Sequence, residues 1–220
     1  AGMTLHTLVE GPSEQVSFDG WLKKLNSSQK IRVHAHQGKG SLPANDAKVN
    51  NKLRGLLDQL PFKLRGFSAT LNPRSDGILI LVDADDDDPS YLVEEISKTV
   101  KRCAPSLRVE ISIATEEMEA FYLGDLRALQ IGYPDADMKA ARDYIPDSIC
   151  GTWEEFGKII DDDSGNKVGW AETLGPLLTA SAAESRSPSF KKMLAKIATL
   201  TAQTPASPTK KKFYHRAKPK

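Results

Sequence analysis

Cysteines are scarce in this sequence: Cys103 and Cys150 are the two among 220 residues. Two thiols cannot build a disulfide framework, and they do not have the spacing of paired metal ligands. We therefore expect both cysteines to be reduced and the protein to be cytoplasmic.

Long apolar runs are also missing. No stretch approaches the roughly 18–20 apolar residues that cross a bilayer, and the first 30 residues show no signal-peptide pattern. We therefore expect no membrane contact. The sequence also has no Gly-x-Ser-x-Gly motif and no Walker or Rossmann glycine pattern, which argues against a nucleophilic triad and a standard nucleotide-binding loop.

Charge is distributed unevenly, although the net charge is only +1. No Asp or Glu follows Glu184, and ten Lys and Arg do, whereas the rest of the chain carries 20 basic against 29 acidic residues. A basic C-terminal end fits a polyanion such as nucleic acid, and a merely solvated tail is the alternative. The candidate nucleic-acid contacts in this end are Lys210, Lys211, Lys212 and Arg216.

Strand-like and helix-like segments alternate in the first part of the chain. Apolar runs at 4–9, 31–36 and 77–83 and clean alternation at 107–113 predict four strands, the third central and the fourth near an edge. The segment between the second and third strands predicts a helix over 48–60 and a further strand over 67–71. Alternation of this kind predicts an α/β fold with a mostly parallel central sheet flanked by helices.

The strand signals stop after residue 133, and three amphipathic helices are predicted beyond it. We therefore expect three parts: an α/β domain over 4–132, a small helical addition over 133–202 packed on it, and a basic disordered tail over 203–220.

Carboxylates follow three of the predicted strands. They are Glu10 and Glu14 after the first, Asp83 and Asp85 at the end of the third, and Glu116 and Glu119 after the fourth. Ligands of open α/β sheets bind outside the carboxyl ends of the strands, so these acids are expected at one edge. Mg²⁺ and Mn²⁺ prefer such oxygen ligands, and two ions can clamp a phosphodiester.

The same acids have simpler interpretations. Acidic residues in the first turn of a helix are favoured by the helix dipole, and an acidic run after a strand is usually a solvated loop.

Asp83 and Asp85 are expected on one side because residues i and i+2 of an extended segment share a face. Lys39, between Gly38 and Gly40, is a candidate phosphate contact, with a plain strand-to-helix turn as the alternative.

Several segments resemble a known family. Residues 8–14, LVEGPSE, resemble the opening "VEGxTE" block of TOPRIM-like domains, and residues 81–85, LVDAD, resemble their Asp-x-Asp strand. Four further blocks are similar to one bacterial TOPRIM-like family, related to the OLD-type nucleases and often encoded beside an ATPase in phage-defence loci: 36–42, 115–125, 170–172 and 187–190. The resemblance covers roughly residues 5–200.

The resemblance implies a TOPRIM-like fold and a Mg²⁺-dependent nuclease acting on DNA or RNA, with an ATPase as partner. It implies catalytic roles for Glu10, Asp83 and Asp85, and a second ion at Glu14, Glu116 and Glu119. Pro12 and Ser13 depart from the pattern, which usually has a variable residue and Thr there, but neither change removes a carboxylate.

Two other functions stay open at this point. A non-catalytic subunit could keep the fold and dock to an ATPase or to nucleic acid. A receiver-like phosphoacceptor also places acids at strand ends, but it needs a Lys at the end of a later strand, and none is found in the right order. The oligomeric state is open, a homo-oligomer included.

Overall fold

The computed structural model describes residues 3–21, 24, 30–46, 50, 52–115, 117–148 and 151–202. The strands are β1 (Thr4–Val9), β2 (Lys30–Ala35), β3 (Asp76–Asp83) and β4 (Arg108–Ala114). The helices are α1 (Pro12–Trp21), α2 (Leu56–Thr70), α3 (Pro89–Cys103), α4 (Glu119–Gly124), α5 (Leu126–Gly132), α6 (Met138–Asp143), α7 (Thr152–Ile160), α8 (Lys167–Leu174) and α9 (Pro188–Thr201).

The four strands form one parallel sheet in the order β2-β1-β3-β4. The interior position of β3 follows from its composition, because Ile78–Val82 is a run of aliphatic side chains that is buried on both faces. The predicted α/β class, with a parallel sheet flanked by helices, is confirmed. Since β1 and β3 are parallel neighbours, the residues that follow them lie side by side.

Helices cover both faces of the sheet. Leu8, Ile78 and Ile80 belong to a buried cluster that includes residues of α2 and α3. The opposite face contributes Leu5 and Leu79 to a second, larger cluster with residues of α1, α4 and the C-terminal helices. Alternate residues of each strand therefore enter different cores, as expected for a pleated strand.

Helix α2 corrects two predictions. It begins at Leu56 and continues to Thr70, so the helix expected over 48–60 is shifted, and the strand expected over 67–71 is wrong. Residues 47–49 and 51 lie outside the described residues. The prediction stopped the helix before Pro61, but Pro61 lies inside α2, and Leu60, Leu64 and Phe67 continue one apolar stripe past it.

The C-terminal helices pack against the sheet domain through buried aromatic side chains. Trp170 in α8 and Phe190 in α9 join the cluster that contains Leu5 and Leu79. Trp21 at the end of α1 donates its indole N–H to the Thr179 carbonyl at 2.7 Å. Helix α9 begins at Pro188, and the hydroxyl of Ser187 before it accepts the Phe190 backbone N–H.

Within the described part of the chain, each helix is too short or too polar to cross a lipid bilayer.

Candidate functional site

The carboxyl ends of β1 and β3 bring two acidic residues into contact. Glu10 follows β1, and its Oε1 accepts the backbone N–H of Asp83, the last residue of β3, at 2.8 Å. The Glu10 carbonyl accepts the Gly38 N–H, also at 2.8 Å. The two residues are 73 positions apart in the sequence, so the parallel pairing of β1 and β3 creates this contact.

Both carboxylates have pKa values that are raised. Burial, with the charges of Asp85 and Glu14, raises the pKa of Glu10 to about 7, although the Asp83 N–H and Lys39 act in the opposite direction. Burial also raises the pKa of Asp83 well above its usual value, and the nearby carboxylates add to this effect. These neighbours are Glu10, Glu14, Glu119 and Asp85. Burial and repulsion between these groups therefore disfavour the charged forms of the Glu10 and Asp83 carboxyl groups.

Glu14 adds an unpaired oxygen to this group. It lies in the first turn of α1, and its Oε2 is buried with no hydrogen-bond partner among the described residues. Gly11 leaves room for it, because a Cβ at residue 11 would lie 3.1 Å from that oxygen. A buried carboxylate oxygen without a partner costs free energy, and a cation beside it would offset that cost.

Glu119 supplies the acid that follows β4. It is the first residue of α4 and only 4% exposed. Burial raises its pKa to about 7, with contributions from Glu117 and Glu14, whereas Lys167 acts to lower it. Glu116 lies outside the described residues.

The position of Asp85 relative to Glu10 and Asp83 differs from the predicted one. The strand ends at Asp83, and Asp85 follows with a left-handed φ of 48°, so the expected i, i+2 alternation of an extended segment does not apply to this pair. Its side chain is half exposed and pairs with the Lys39 ammonium at 3.1 Å. Asp85 is still close enough for its charge to raise the pKa values of Glu10 and Asp83.

Lys39 lies at this edge of the sheet. Its Nζ donates to the Ala84 carbonyl at 2.9 Å, and it pairs with Asp85 and, at 2.6 Å, with Asp87. The residue predicted as a phosphate contact therefore holds the acidic loop after β3. Its ammonium balances part of the negative charge on one side of the site.

The donor chemistry fits a hard divalent cation. Five acids from separate elements contribute carboxylate oxygens, and one of those oxygens is buried and unpaired. They are Glu10, Glu14, Asp83, Asp85 and Glu119. Within the described residues, however, no three His, Cys, Asp or Glu side chains surround a common point closely enough to hold a metal ion. The fit is therefore one of donor type alone, because the described side chains do not form a ligand set.

Comparison with known protein families gives one result. A sequence model described as "Domain of unknown function (DUF4276)" matches residues 9–198. The chain belongs to the DUF4276 family. No match was found among curated proteins or solved structures.

The part of the chain that matches DUF4276 contains all five acids described above. It also contains Lys167, which the sequence analysis missed. Lys167 begins α8, and its Nζ lies 2.9 Å from Glu117 Oε1 and 3.8 Å from Glu119 Oε2. The Glu117 carboxylate also accepts the Trp153 backbone N–H at 3.0 Å. No sequence signal marks Lys167, because only the packing of α8 brings it to Glu119.

Four of the predicted nucleic-acid contacts belong to the C-terminal tail. Lys210, Lys211, Lys212 and Arg216 lie outside the described residues, as does the whole tail predicted over 203–220.

Proposed function

We propose that this DUF4276 protein is a Mg²⁺- or Mn²⁺-dependent nuclease that hydrolyses phosphodiester bonds of DNA or RNA. The observation that carries the proposal is the contact between Glu10 and Asp83 at two neighbouring strand ends, with Glu14 and Glu119 beside them. Buried carboxyl groups with raised pKa values at the carboxyl edge of a parallel sheet are typical of a ligand-binding site.

The roles of the individual acids are carried over from the TOPRIM-like resemblance. Glu10, Asp83 and Asp85 would hold a first cation, and Glu14 and Glu119, together with Glu116, are candidates for a second. A bound cation would neutralise charge on the phosphoryl group and lower the pKa of a bound water. The chain itself orients Glu10 through the Asp83 N–H and restrains the acidic loop through Lys39.

The biological setting is proposed from the resemblance alone. The TOPRIM-like blocks are similar to a family encoded beside ATPases in phage-defence loci. We therefore propose a cytoplasmic effector that works in a defence complex with an ATPase.

One observation favours a second candidate, a non-catalytic interaction subunit. No three side chains in the described part of the chain are arranged as a ready ligand set, which is what a subunit that binds metal weakly or not at all would show. Calorimetric titration with Mn²⁺ separates the two: saturable heat that is lost in Asp83→Asn supports the nuclease, and no heat at millimolar Mn²⁺ supports the subunit. The receiver-like alternative gains no support, since no strand follows β4 among the residues described.

Cleavage assays test the nuclease directly. Plasmid, single-stranded DNA and RNA are incubated with millimolar Mg²⁺ or Mn²⁺, comparing the wild type with Glu10→Gln and Asp83→Asn. Glu10→Gln keeps an acceptor for the Asp83 N–H and removes the charge. We expect each variant to lose at least about 100-fold in rate, since each tenfold loss corresponds to about 1.4 kcal/mol of transition-state stabilisation.

The matched control is Asp86→Asn, which removes one charge from an exposed position of the same acidic loop. It should cleave at the wild-type rate, and thermal unfolding should show that all variants are folded. Equal cleavage by the wild type and Asp83→Asn would rule out the site. Because a partner ATPase is part of the proposal, the assay is repeated with the proteins co-purified from the native locus.

A further inference from the structure

The edge strand β2 presents basic residues on one of its faces. Ile31, Val33 and Ala35 pack against the core that lies on the α1 side of the sheet. Their neighbours Lys30, Arg32 and His34 point the other way, because alternate residues of a strand face opposite sides. Lys30 and Arg32 are exposed. We call Lys30, Arg32, His34, His36 and Lys63 the basic face.

Side chains from β1 and α2 hold the basic face in position. Lys63 Nζ donates to His36 Nε2 at 2.9 Å, and His36 Nδ1 donates to the Val9 carbonyl at 2.8 Å. His34 lies 3.1 Å from His6 Nδ1, and Phe67 of α2 contacts the His34 ring, with centroids 5.5 Å apart. The face is therefore anchored to the fold by specific contacts.

Among the residues that the structure describes, no acid is paired with the positive charges of this face. Within the described residues, Lys30, Arg32 and Lys63 form no ion pair, whereas Lys98 on α3 pairs with both Glu94 and Glu95. Residues 30–75 contain nine Lys and Arg against two acids, Asp46 and Asp58. A segment of this charge within an otherwise acidic body indicates an anionic partner.

Titration of the two histidines reflects the same excess. Burial lowers the pKa of His34 to about 4, and the positive charges of Lys63 and Arg32 add to the effect. Burial also lowers the pKa of His36, with a further contribution from Lys63. Lys63 is thus close enough to both rings for its charge to disfavour their protonated forms.

The basic face adjoins the carboxylate site. The carbonyl that His36 binds belongs to Val9, the residue immediately before Glu10, and the Gly38 N–H binds the Glu10 carbonyl. A strand of nucleic acid that lay across β2 would therefore reach the carboxyl edge of the sheet.

We propose that the basic face binds the phosphate backbone of a nucleic acid and leads it to the carboxylate site. Binding itself does not depend on catalysis, and only the destination of the strand rests on the proposed nuclease function. Lys30, Arg32 and Lys63 provide the cationic donors. Phosphate oxygens accept from such groups, and displaced counter-ions give the contact its salt dependence.

Fluorescence anisotropy with labelled single-stranded and duplex DNA tests the proposal. It is measured in EDTA over a range of salt concentrations, so that no cleavage occurs. Arg32→Gln combined with Lys63→Gln should weaken binding about tenfold or more and make the slope of log K against log salt shallower by about 2. Lys98→Gln combined with Lys101→Gln is the matched control, because it removes two exposed positive charges from α3, and it should bind like the wild type.

Lys30→Glu, at an exposed position of β2, provides a second variant that does not disturb the His36 contacts. Equal losses in the α3 control and the basic-face variants would overturn the proposal, as would a wild type that binds no nucleic acid. Binding by this face to phosphatidylserine vesicles in place of DNA would also overturn it. If the protein binds DNA through this face in a salt-dependent way but does not cleave it in Mg²⁺, the nuclease proposal is refuted and the basic-face proposal is supported. If the protein cleaves DNA but the basic-face variants bind it like the wild type, the basic-face proposal is refuted and the nuclease proposal is supported.

Discussion

The pKa of the Glu119 carboxyl group depends most on its burial and on a single nearby lysine. It is almost fully buried, and its nearest described cation, Lys167 Nζ, is 3.8 Å from Oε2. Its pKa is therefore about 7. A carboxyl group with a raised folded-state pKa binds its proton more tightly in the folded than in the unfolded protein.

This difference predicts how stability depends on pH without divalent cations. The stabilisation from protonated Glu119 and Glu10 is fully present below the unfolded-state pKa near 4.5 and is lost as pH rises through about 7. For the more buried Glu119, whose pKa rises from 4.5 to about 7, we expect a loss on the order of 3 kcal/mol in the free energy of unfolding, since one pKa unit corresponds to about 1.4 kcal/mol. Urea denaturation in EDTA, at pH values below 4.5 and above 7, measures this loss.

Glu119→Gln is the informative variant, because it keeps the shape and removes the titrating group. It should be more stable than the wild type at alkaline pH, and its stability should change less between the two pH values. Adding Mn²⁺ at alkaline pH should raise the unfolding temperature of the wild type more than that of the variant. An identical pH dependence in both proteins would contradict the interpretation of Glu119.

At the scale of elements, the loop after β2 and the start of α2 form one unit. The carbonyls of Gly38 and Lys39 accept the N–H groups of Leu56 and Leu57, which have no acceptor within the helix because they lie in the first turn of α2. Asp58 accepts the N–H groups of Gly55 and Ser41. This unit holds Lys39 against the acidic loop after β3.

Gly40 should tolerate substitution poorly. It has a φ of +64°, and a Cβ at this position would lie 2.2 Å from Asp58 Oδ2. We expect Gly40→Ala to cost about 1–3 kcal/mol in the free energy of unfolding, from left-handed strain and displacement of Asp58. Gly66→Ala in the middle of α2 is the control, since nothing lies within 4 Å of its Cβ, and it should stabilise the protein by about 0.5–1 kcal/mol. Chemical denaturation compares the two, and equal effects would contradict the account of Gly40.

At the scale of the whole molecule, the helices after residue 133 share a core with the sheet. Trp170 and Phe190 lie in one buried cluster with Leu5 and Leu79, and helix α9 packs directly on β3 and β4. The predicted boundary at 132/133 therefore crosses a continuous apolar cluster.

This shared core predicts that residues 4–132 do not fold alone. A chain ending at residue 132 would expose the apolar face that α8 and α9 cover, so it should lack a cooperative thermal transition. In the full-length protein, Phe190→Ala should lower the free energy of unfolding by about 3–5 kcal/mol. It should also lower the temperature of a single transition in which sheet and helices unfold together. Near-UV circular dichroism and calorimetry measure the transitions of the fragment and of the variant. A cooperative transition in the fragment would show instead that the α/β part is an independent domain.

Local patterns account for much of the architecture. The run at 77–83 predicted the buried strand β3, and the alternation at 107–113 predicted the edge strand β4. Helix α2 was misplaced, because the apolar stripe was expected to end at Leu60, whereas it continues through Pro61 to Phe67. The basic segment 30–75 was missed because its charge was averaged with the acidic remainder of the body.

The sequence by itself determined the fold class and the acids that follow the strands, because both depend on periodicity and on the order of elements along the chain. Tertiary structure alone decided which charges meet. The pairing of β1 with β3 joined Glu10 to Asp83, the packing of α8 brought Lys167 to Glu119, and the loop after β2 turned Lys39 toward Asp85. Contacts between residues so far apart in the sequence depend on how whole elements pack, and local patterns do not encode that packing.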